Sequence, residues 1–437
     1  MIYYGKITRR EHCCIIRNDE RRTFSLALRP RLLASRVIAS LRRNCPLSSK
    51  TAEIIIIGGG LYGASVAYNL AKHGAKNVVV LERKAICAGG TAKSCAIVRT
   101  HYSIEANMVH AVESLKIFAN FNEIVGGDCG WRRTGYLILG PEEHRQPMET
   151  VFRLQNKYEV DTRTLTPAEA HEIHPLLQFE DVGVIGYDTL TGYCDPYLTT
   201  TSYAQRAKEL GVTIHTDTPV THLRLGGAVK TVQTPNGDFE APTVILLAGP
   251  WTNALTKPVG LEFPYVISRH KVITLKISQP YQANWPIVKD LTTPDKIYFR
   301  PETGGVVLVG TGDHGDPIED ADTLTDNVEM EHVSRIERLI TNRMPAFAEG
   351  EYTAGWTGPY DITSDWNPLV GAAPGYEGVY VGVGFSGHGF KLAPTIGEAL
   401  AQTVLGQPPR VPIDIYSLTR FDEGRVLHGA YGIGSIS

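Results

Sequence analysis

The chain has 437 residues, 43% of them apolar and 20% charged, and a formal charge of −3. That length and apolar share point to a globular protein of two or three domains and exclude disorder on compositional grounds. A pI near 6.5 supplies no basic field for nucleic acid, and no apolar run approaches the ~20 residues a membrane-crossing helix needs.

Charge is unevenly spread. Residues 1–50 hold 12 Lys/Arg against 3 Asp/Glu, so a basic leader precedes an acidic body. Residues 31–43 (RLLASRVIASLRR) can form an amphipathic helix with Leu33, Ala34, Val37, Ile38 and Leu41 on one arc and Arg36, Arg42 and Arg43 opposite. That pattern resembles a mitochondrial transit peptide, whereas Glu11, Asp19 and Glu20 suit a disordered or incidental extension. The location is therefore read as cytoplasmic, with the mitochondrial matrix as the alternative. Seven cysteines at irregular spacing, none in a CxxC pair, read as free thiols rather than a disulfide or zinc framework.

The body opens at Glu53 with EIIIIGGGLYGASVAYNLAKHGAKNVVVLER. Ile54–Ile57 predict a strand buried on both faces, followed by GxGxxG at Gly58, Gly60 and Gly63 and a helix reaching about His73. Gly74 supplies the helix stop, and a second strand, Val78–Leu81, ends at Glu82. Gly58 allows the tight turn, Gly60 the approach of a pyrophosphate, and Gly63 close packing of helix on strand. Glu82 is placed to accept from the ribose hydroxyls. Strand, turn, helix, second strand and acid in register make this a dinucleotide fingerprint.

Farther on, Asn236-Gly237 predicts a hairpin turn, and Val244–Leu247 a strand entering Ala248-Gly249, a second backbone approach to a long dinucleotide. Near the C-terminus, VYVGVGFSGHGFKLAPTIGEALAQTVLG repeats strand, glycine loop and helix, with Gly387 and Gly389 opening a helix to about Leu405. A helix N-terminus there suits the negative charge of a reduced flavin ring, which favours FAD over NAD. TGYLILG, KVITLKI, IYFRP and VVLVG alternate at strand period, and 105–124, 197–210 and 328–342 repeat at helical period.

Together with AIVRTHY (96–102), ILLAGPW (245–251), IYFRP (297–301) and GPYDITSDWNPLVG (358–371), these motifs make residues 52–410 resemble the FAD-dependent amino-acid and amine oxidoreductases of the D-amino-acid-oxidase superfamily, in its sarcosine-oxidase-like branch. The resemblance implies an α/β (α+β) fold. A Rossmann-like FAD-binding domain would come from 51–103, 195–256 and 355–410, and a substrate domain of mostly antiparallel sheet from 104–194 and 257–354. A tail would occupy 411–437.

The resemblance further implies oxidation of the C–N bond of a small amino acid or N-methyl amino acid to an imine, by hydride transfer to the flavin. A D-amino-acid, glycine or proline-type dehydrogenase on the same scaffold is an alternative. So is a non-catalytic flavoprotein, an assembly factor or electron-transfer subunit. Arg99 matches the arginine that binds the substrate carboxylate, and Lys391 the lysine beside the flavin; bidentate Arg and a Lys point charge both suit an anionic substrate. Tyr298 and Tyr360 match cavity-lining tyrosines, and His388 is a candidate beside the flavin; His270 and His314 border the cavity segments. Cofactor contacts are assigned to Gly58, Gly60, Gly63, Glu82, Arg83, Val220, Gly249, Gly387, Gly389 and Lys391.

Two departures stand out. Leu308 occupies the place of the lysine that activates oxygen in the monomeric oxidases, so oxygen and another carrier both stay open as electron acceptors. Gly358 and Lys93 stand where relatives attach the flavin covalently, which predicts non-covalent FAD, with Cys87 and Cys95 as the local alternatives. Relatives occur alone and as subunits, which leaves a partner chain open.

Overall fold

The four isoleucines Ile54–Ile57 are all buried, and their alternation divides them between two cores. The computed structural model describes residues 50–277, 281–312 and 315–432; the leader segment 31–43, His314 and Cys13, Cys14 and Cys45 lie outside them. Ile54 and Ile56 pack beneath the helices Leu61–Lys72, Glu105–Ala119, Pro196–Glu209 and Gly389–Val404. Ile55 and Ile57 face Val232, Phe239 and Ala241 of a small four-stranded sheet. A strand covered on both faces has no use for polar residues, hence the uninterrupted apolar run.

Ile54–Ile57 lies inside a six-stranded sheet ordered Thr213–His215, Val78–Leu81, Ile54–Ile57, Thr243–Leu246, Val379–Val383, Leu369–Ala372. All neighbours run parallel except the last pair. The sequence-predicted strands and helices of this part appear within a residue or two of their expected ends. The hairpin at Asn236-Gly237 joins Lys230–Gln233 to Phe239–Ala241.

A nine-stranded sheet follows the order Pro317–Ile318, Tyr265–Lys276, Val306–Gly310, Tyr298–Glu302, Ile287–Asp290, Tyr136–Gly140, Val184–Asp188, Thr162–Leu165, with Glu351–Thr363 also paired to Tyr265–Lys276. It is antiparallel save for Ile287–Asp290 beside Tyr136–Gly140. Leu137, Val288, Phe299, Val307 and Val309 turn one face toward Val333, Ile336 and Ile340 of the helix Met330–Arg343. The alternate residues Tyr136, Lys289 and Tyr298 therefore point to the opposite face, where the chamber described below is built.

Several elements depart from the sequence expectations. The helical pattern at 105–124 is split into Glu105–Ala119 and Phe121–Ile124, with Asn120 between. The helix Arg145–Lys157 and the capping-box helix Pro167–Ile173 were not anticipated. The 13-residue strand Glu351–Thr363 carries Tyr360 and Asp361 from the large sheet to the edge of the dinucleotide cavity.

The segment after Val404 is tied down by Arg420, which is fully buried and bonds both oxygens of the equally buried Asp365 at 2.8 and 3.2 Å. Removing one partner leaves a buried charge uncompensated, so Arg420→Met should cost about 3–5 kcal/mol. A urea titration followed by tryptophan fluorescence checks this; an unchanged midpoint would contradict it.

Candidate active site

Two adjoining cavities share Ser94, Tyr360, Gly387 and Phe390 as a common wall. The larger, of about 400 Å3, is lined by Gly58, Gly60, Glu82, Arg83, Val220, Gly249, Gly387 and Gly389. Gly58 has φ +112°, and a Cβ there would lie 2.3 Å from the Leu247 carbonyl oxygen, so no other residue fits the turn. Gly63 does not line the cavity; a Cβ on it would strike the Gly58 carbonyl oxygen at 1.9 Å. It holds the loop shut against the helix.

Glu82 Oε2 accepts the Gly59 N–H at 2.7 Å and Oε1 the Lys84 N–H at 2.8 Å, which pins its carboxylate at the cavity edge. Arg83 spans the rim: it pairs with both oxygens of Asp322 at 2.7 and 2.9 Å, and its guanidinium lies 4.3 Å from the centre of the Trp251 ring. Tyr62 lines the wall, stacks on Phe385 with centroids 3.8 Å apart, and has a buried hydroxyl with no hydrogen-bond partner among the described residues. A glycine-floored cavity, a helix N-terminus, a fixed acid and an unmet hydroxyl fit a flavin dinucleotide.

The smaller chamber, about 90 Å3, is lined by Arg99, Lys289 and Lys391 together with Cys95, Tyr136, Tyr298, Tyr360 and His388. Its described lining contains no Asp or Glu. Arg99, 7% exposed, follows the strand Ile97–Val98; one Nη donates to the His101 carbonyl, and the guanidinium lies 4.2 Å from the centre of the Tyr102 ring. Lys391, also 7% exposed, stands in the first turn of Gly389–Val404, with Nζ 3.5 Å from the Gly387 carbonyl oxygen. Burial, and then the field of Arg99, hold the Lys391 ammonium well below the usual lysine range. The two groups, 292 positions apart in the chain, thus sense each other across one small space.

Tyr298 Oη lies 3.1 Å from Cys95 Sγ, and Tyr360 stacks on His270 at 3.7 Å between centroids. Gly387, at φ +76°, makes room for Tyr360, since a Cβ there would fall 2.3 Å from the ring. His388 caps the helix behind Tyr102, with ring centroids 5.3 Å apart.

Several nominated positions sit elsewhere. Cys87 is buried and lines neither cavity, its Sγ 3.5 Å from the Pro196 carbonyl oxygen, and burial pushes its thiol up to about 11. His270 lines neither cavity and stacks on Tyr360, which lines both. Lys93 pairs with Asp326 at 2.6 Å, and a Cβ on Gly358 would meet Lys93 Cβ at 2.7 Å. Leu308 is buried with Val272 and Cys95. Sequence reading missed Lys289, Tyr136 and Asp361. The signal for Lys289 was a charged pair, Lys289-Asp290, interrupting the apolar run around Ile287 and Leu291.

Comparison with known proteins agrees with this geometry. The family model described as FAD dependent oxidoreductase matches residues 53–403. Human mitochondrial sarcosine dehydrogenase is 28% identical over 88% of this chain and 43% of its own length. Human mitochondrial dimethylglycine dehydrogenase is 28% identical over 90% and 48%. The chain thus spans less than half the length of these relatives. The crystal structure of L-proline dehydrogenase from P. horikoshii superposes with a TM-score of 0.80 at 28% identity, over 87% of this chain and all of that one.

Asp361, at the junction of strand and cavity, accepts the Gly384 N–H at 2.7 Å, yet burial lifts its carboxyl from 3.8 to about 6. The folded chain therefore holds this proton more tightly than the unfolded one. The penalty is absent below the unfolded value and complete above pH 6. Asp361→Asn should gain stability over wild type as pH rises from 4 to 7, by up to about 3 kcal/mol. Urea midpoints across that range test it; a constant offset between the two proteins would contradict it.

Proposed function

The chain belongs to the FAD dependent oxidoreductase family, and on that premise we propose that it oxidises the C–N bond of a small amino acid or N-methyl amino acid, sarcosine-like, to an imine. The observation that carries this reading is the pairing of Arg99 and Lys391 in a chamber whose described lining has no acid and whose wall is shared with the dinucleotide cavity.

Bound FAD would accept a hydride from the carbon next to the substrate nitrogen. Gly58, Gly60 and the N-terminus of Leu61–Lys72 would hold its pyrophosphate, Glu82 its ribose, and the Gly387–Gly389 turn would face its ring. Arg99 and Lys391 fix the substrate carboxylate, which sets the direction of the reacting carbon. Tyr298, Tyr360 and Phe390 wall the chamber from water, and a volume near 90 Å3 restricts the substrate to a few heavy atoms. In this reading the parallel-sheet part carries the cofactor and the nine-stranded part closes the substrate side.

The acceptor is read as a carrier other than oxygen, because Leu308 stands buried in an apolar cluster where the oxidases place a lysine. The flavin is read as non-covalent. Gly358 has no nucleophile, Lys93 is engaged by Asp326, and burial raises the Cys95 thiol as well as that of Cys87. Among the described residues no helix is long and apolar enough to cross a membrane. The location is read as cytoplasmic, with the mitochondrial matrix as the alternative that the basic leader and the mitochondrial names of two relatives support.

Anaerobic mixing with sarcosine, dimethylglycine, glycine and L-proline should bleach the flavin with at least one of them; no bleaching would favour a non-catalytic flavoprotein. Arg99→Met and Lys391→Met should each raise KM about ten- to a hundred-fold with FAD retained, for a lost charge-assisted contact of about 1.5–3 kcal/mol. Unchanged kinetics would remove both from the site. Acid precipitation should leave the yellow colour in the supernatant; colour in the pellet would show a covalent bond.

A further inference from the structure

Lys289 is the third basic group of the chamber and has no part in the carboxylate clamp. It lies in the strand Ile287–Asp290, directly across from Tyr298 of the neighbouring strand, and is 5% exposed. Its Nζ donates to the Lys296 carbonyl oxygen at 2.6 Å and lies 5.3 Å from the centre of the Tyr298 ring. No described carboxylate pairs with it: the adjacent Asp290 is bound by Arg343 Nε at 2.7 Å on the other face of the sheet.

An ammonium so placed must meet an incoming anion or give up its proton. Burial, Arg99 and Lys296 bring it down to about 7, against the opposing charge of Asp290. Tyr136 and Tyr298 also face it and stay neutral, since burial raises both phenols.

Amine oxidation needs a nitrogen lone pair, yet an amino acid in water arrives as ammonium and carboxylate. We propose that Lys289 takes the ammonium proton of the bound substrate, a role that rests on the amino-acid reading above. The N–H bond of the substrate breaks and an N–H bond forms on Lys289 Nζ. Substrate nitrogen becomes a neutral amine and Lys289 an ammonium, with no change in oxidation state. The carboxylate is what makes the transfer favourable: seated on Arg99 and Lys391, it offsets the Arg99 field that adds to burial in keeping Lys289 neutral. Hydride loss from the carbon then leaves an iminium, which water hydrolyses. Lys289 is thus a catalytic base on the sheet wall, separate from the clamp contributed by Arg99 and the helix.

The test uses the flavin-loaded protein and methoxyacetate, an ether analogue of sarcosine with the carboxylate and no transferable proton. Calorimetry at saturating ligand and pH 8, in buffers of different ionisation enthalpy, should record uptake of about one proton per bound anion in wild type. Lys289→Met and Lys289→Gln should bind methoxyacetate without uptake, while Lys391→Met keeps it. In anaerobic bleaching, wild-type flavin reduction should rise with pH through the lysine titration, and Lys289→Met should lose that limb and about a hundred-fold or more in rate. Uptake missing in wild type, surviving in the Lys289 variants, or abolished by Lys391→Met would overturn the assignment. Bleaching by an amino acid together with any of those results sinks Lys289 alone. If methoxyacetate fails to bind and no amino acid bleaches the flavin, the substrate reading falls, and this proposal with it.

Discussion

The site depends on how costly it is to keep cationic side chains out of water. A buried ammonium carries a desolvation penalty of several kcal/mol unless an opposite charge repays it, and neither Lys289 nor Lys391 has a carboxylate partner among the described residues. Both bond only to backbone carbonyls. The empty chamber therefore disfavours the charged form of both lysines, and an anionic ligand seated on Arg99 is what returns the charge to Lys289. Affinity for a carboxylate and control over a proton come from the same feature of the lining.

The fold produces this lining by simple periodicities. Alternation along Tyr136–Gly140, Ile287–Asp290 and Tyr298–Glu302 sends Leu137, Val288 and Phe299 to the helix-packed core and Tyr136, Lys289 and Tyr298 to the chamber. From the other side, the turn at Gly387 admits the Tyr360 ring and starts the helix whose first turn holds Lys391. Arg99 is set behind these by its bond to the His101 carbonyl. His101 lies 2.9 Å from the Tyr431 hydroxyl, and burial and Arg99 lower its imidazole to about 3. The C-terminal segment thus backs the clamp with a neutral ring.

What could be read from sequence was what local chemistry decides. Ile54–Ile57, the three glycines and Glu82 describe one another within thirty residues, and Gly387 and Gly389 announce a helix start by the same logic. Arg99 and Lys391 were nominated through their motifs, and the structure brings them into one chamber. The strand Glu351–Thr363 was hidden because Gly355, Gly358 and Pro359 break its period; its pairing with Tyr265–Lys276 is what makes it a strand. Lys289 was hidden because a four-residue strand carrying Lys-Asp looks like a loop until it is paired with Tyr136–Gly140, about 150 positions earlier. Helix Arg145–Lys157 likewise owes its place to Met148 and Phe152 packing on the sheet. Non-local pairing, not composition, supplied these parts.

The most direct test of the central claim is a crystal structure of the flavin-loaded protein with methoxyacetate. The carboxylate should lie in the small chamber, within hydrogen-bond distance of both Arg99 and Lys391, with the ether oxygen toward Lys289. A carboxylate bound elsewhere, or seated there without contact to either cation, would contradict it.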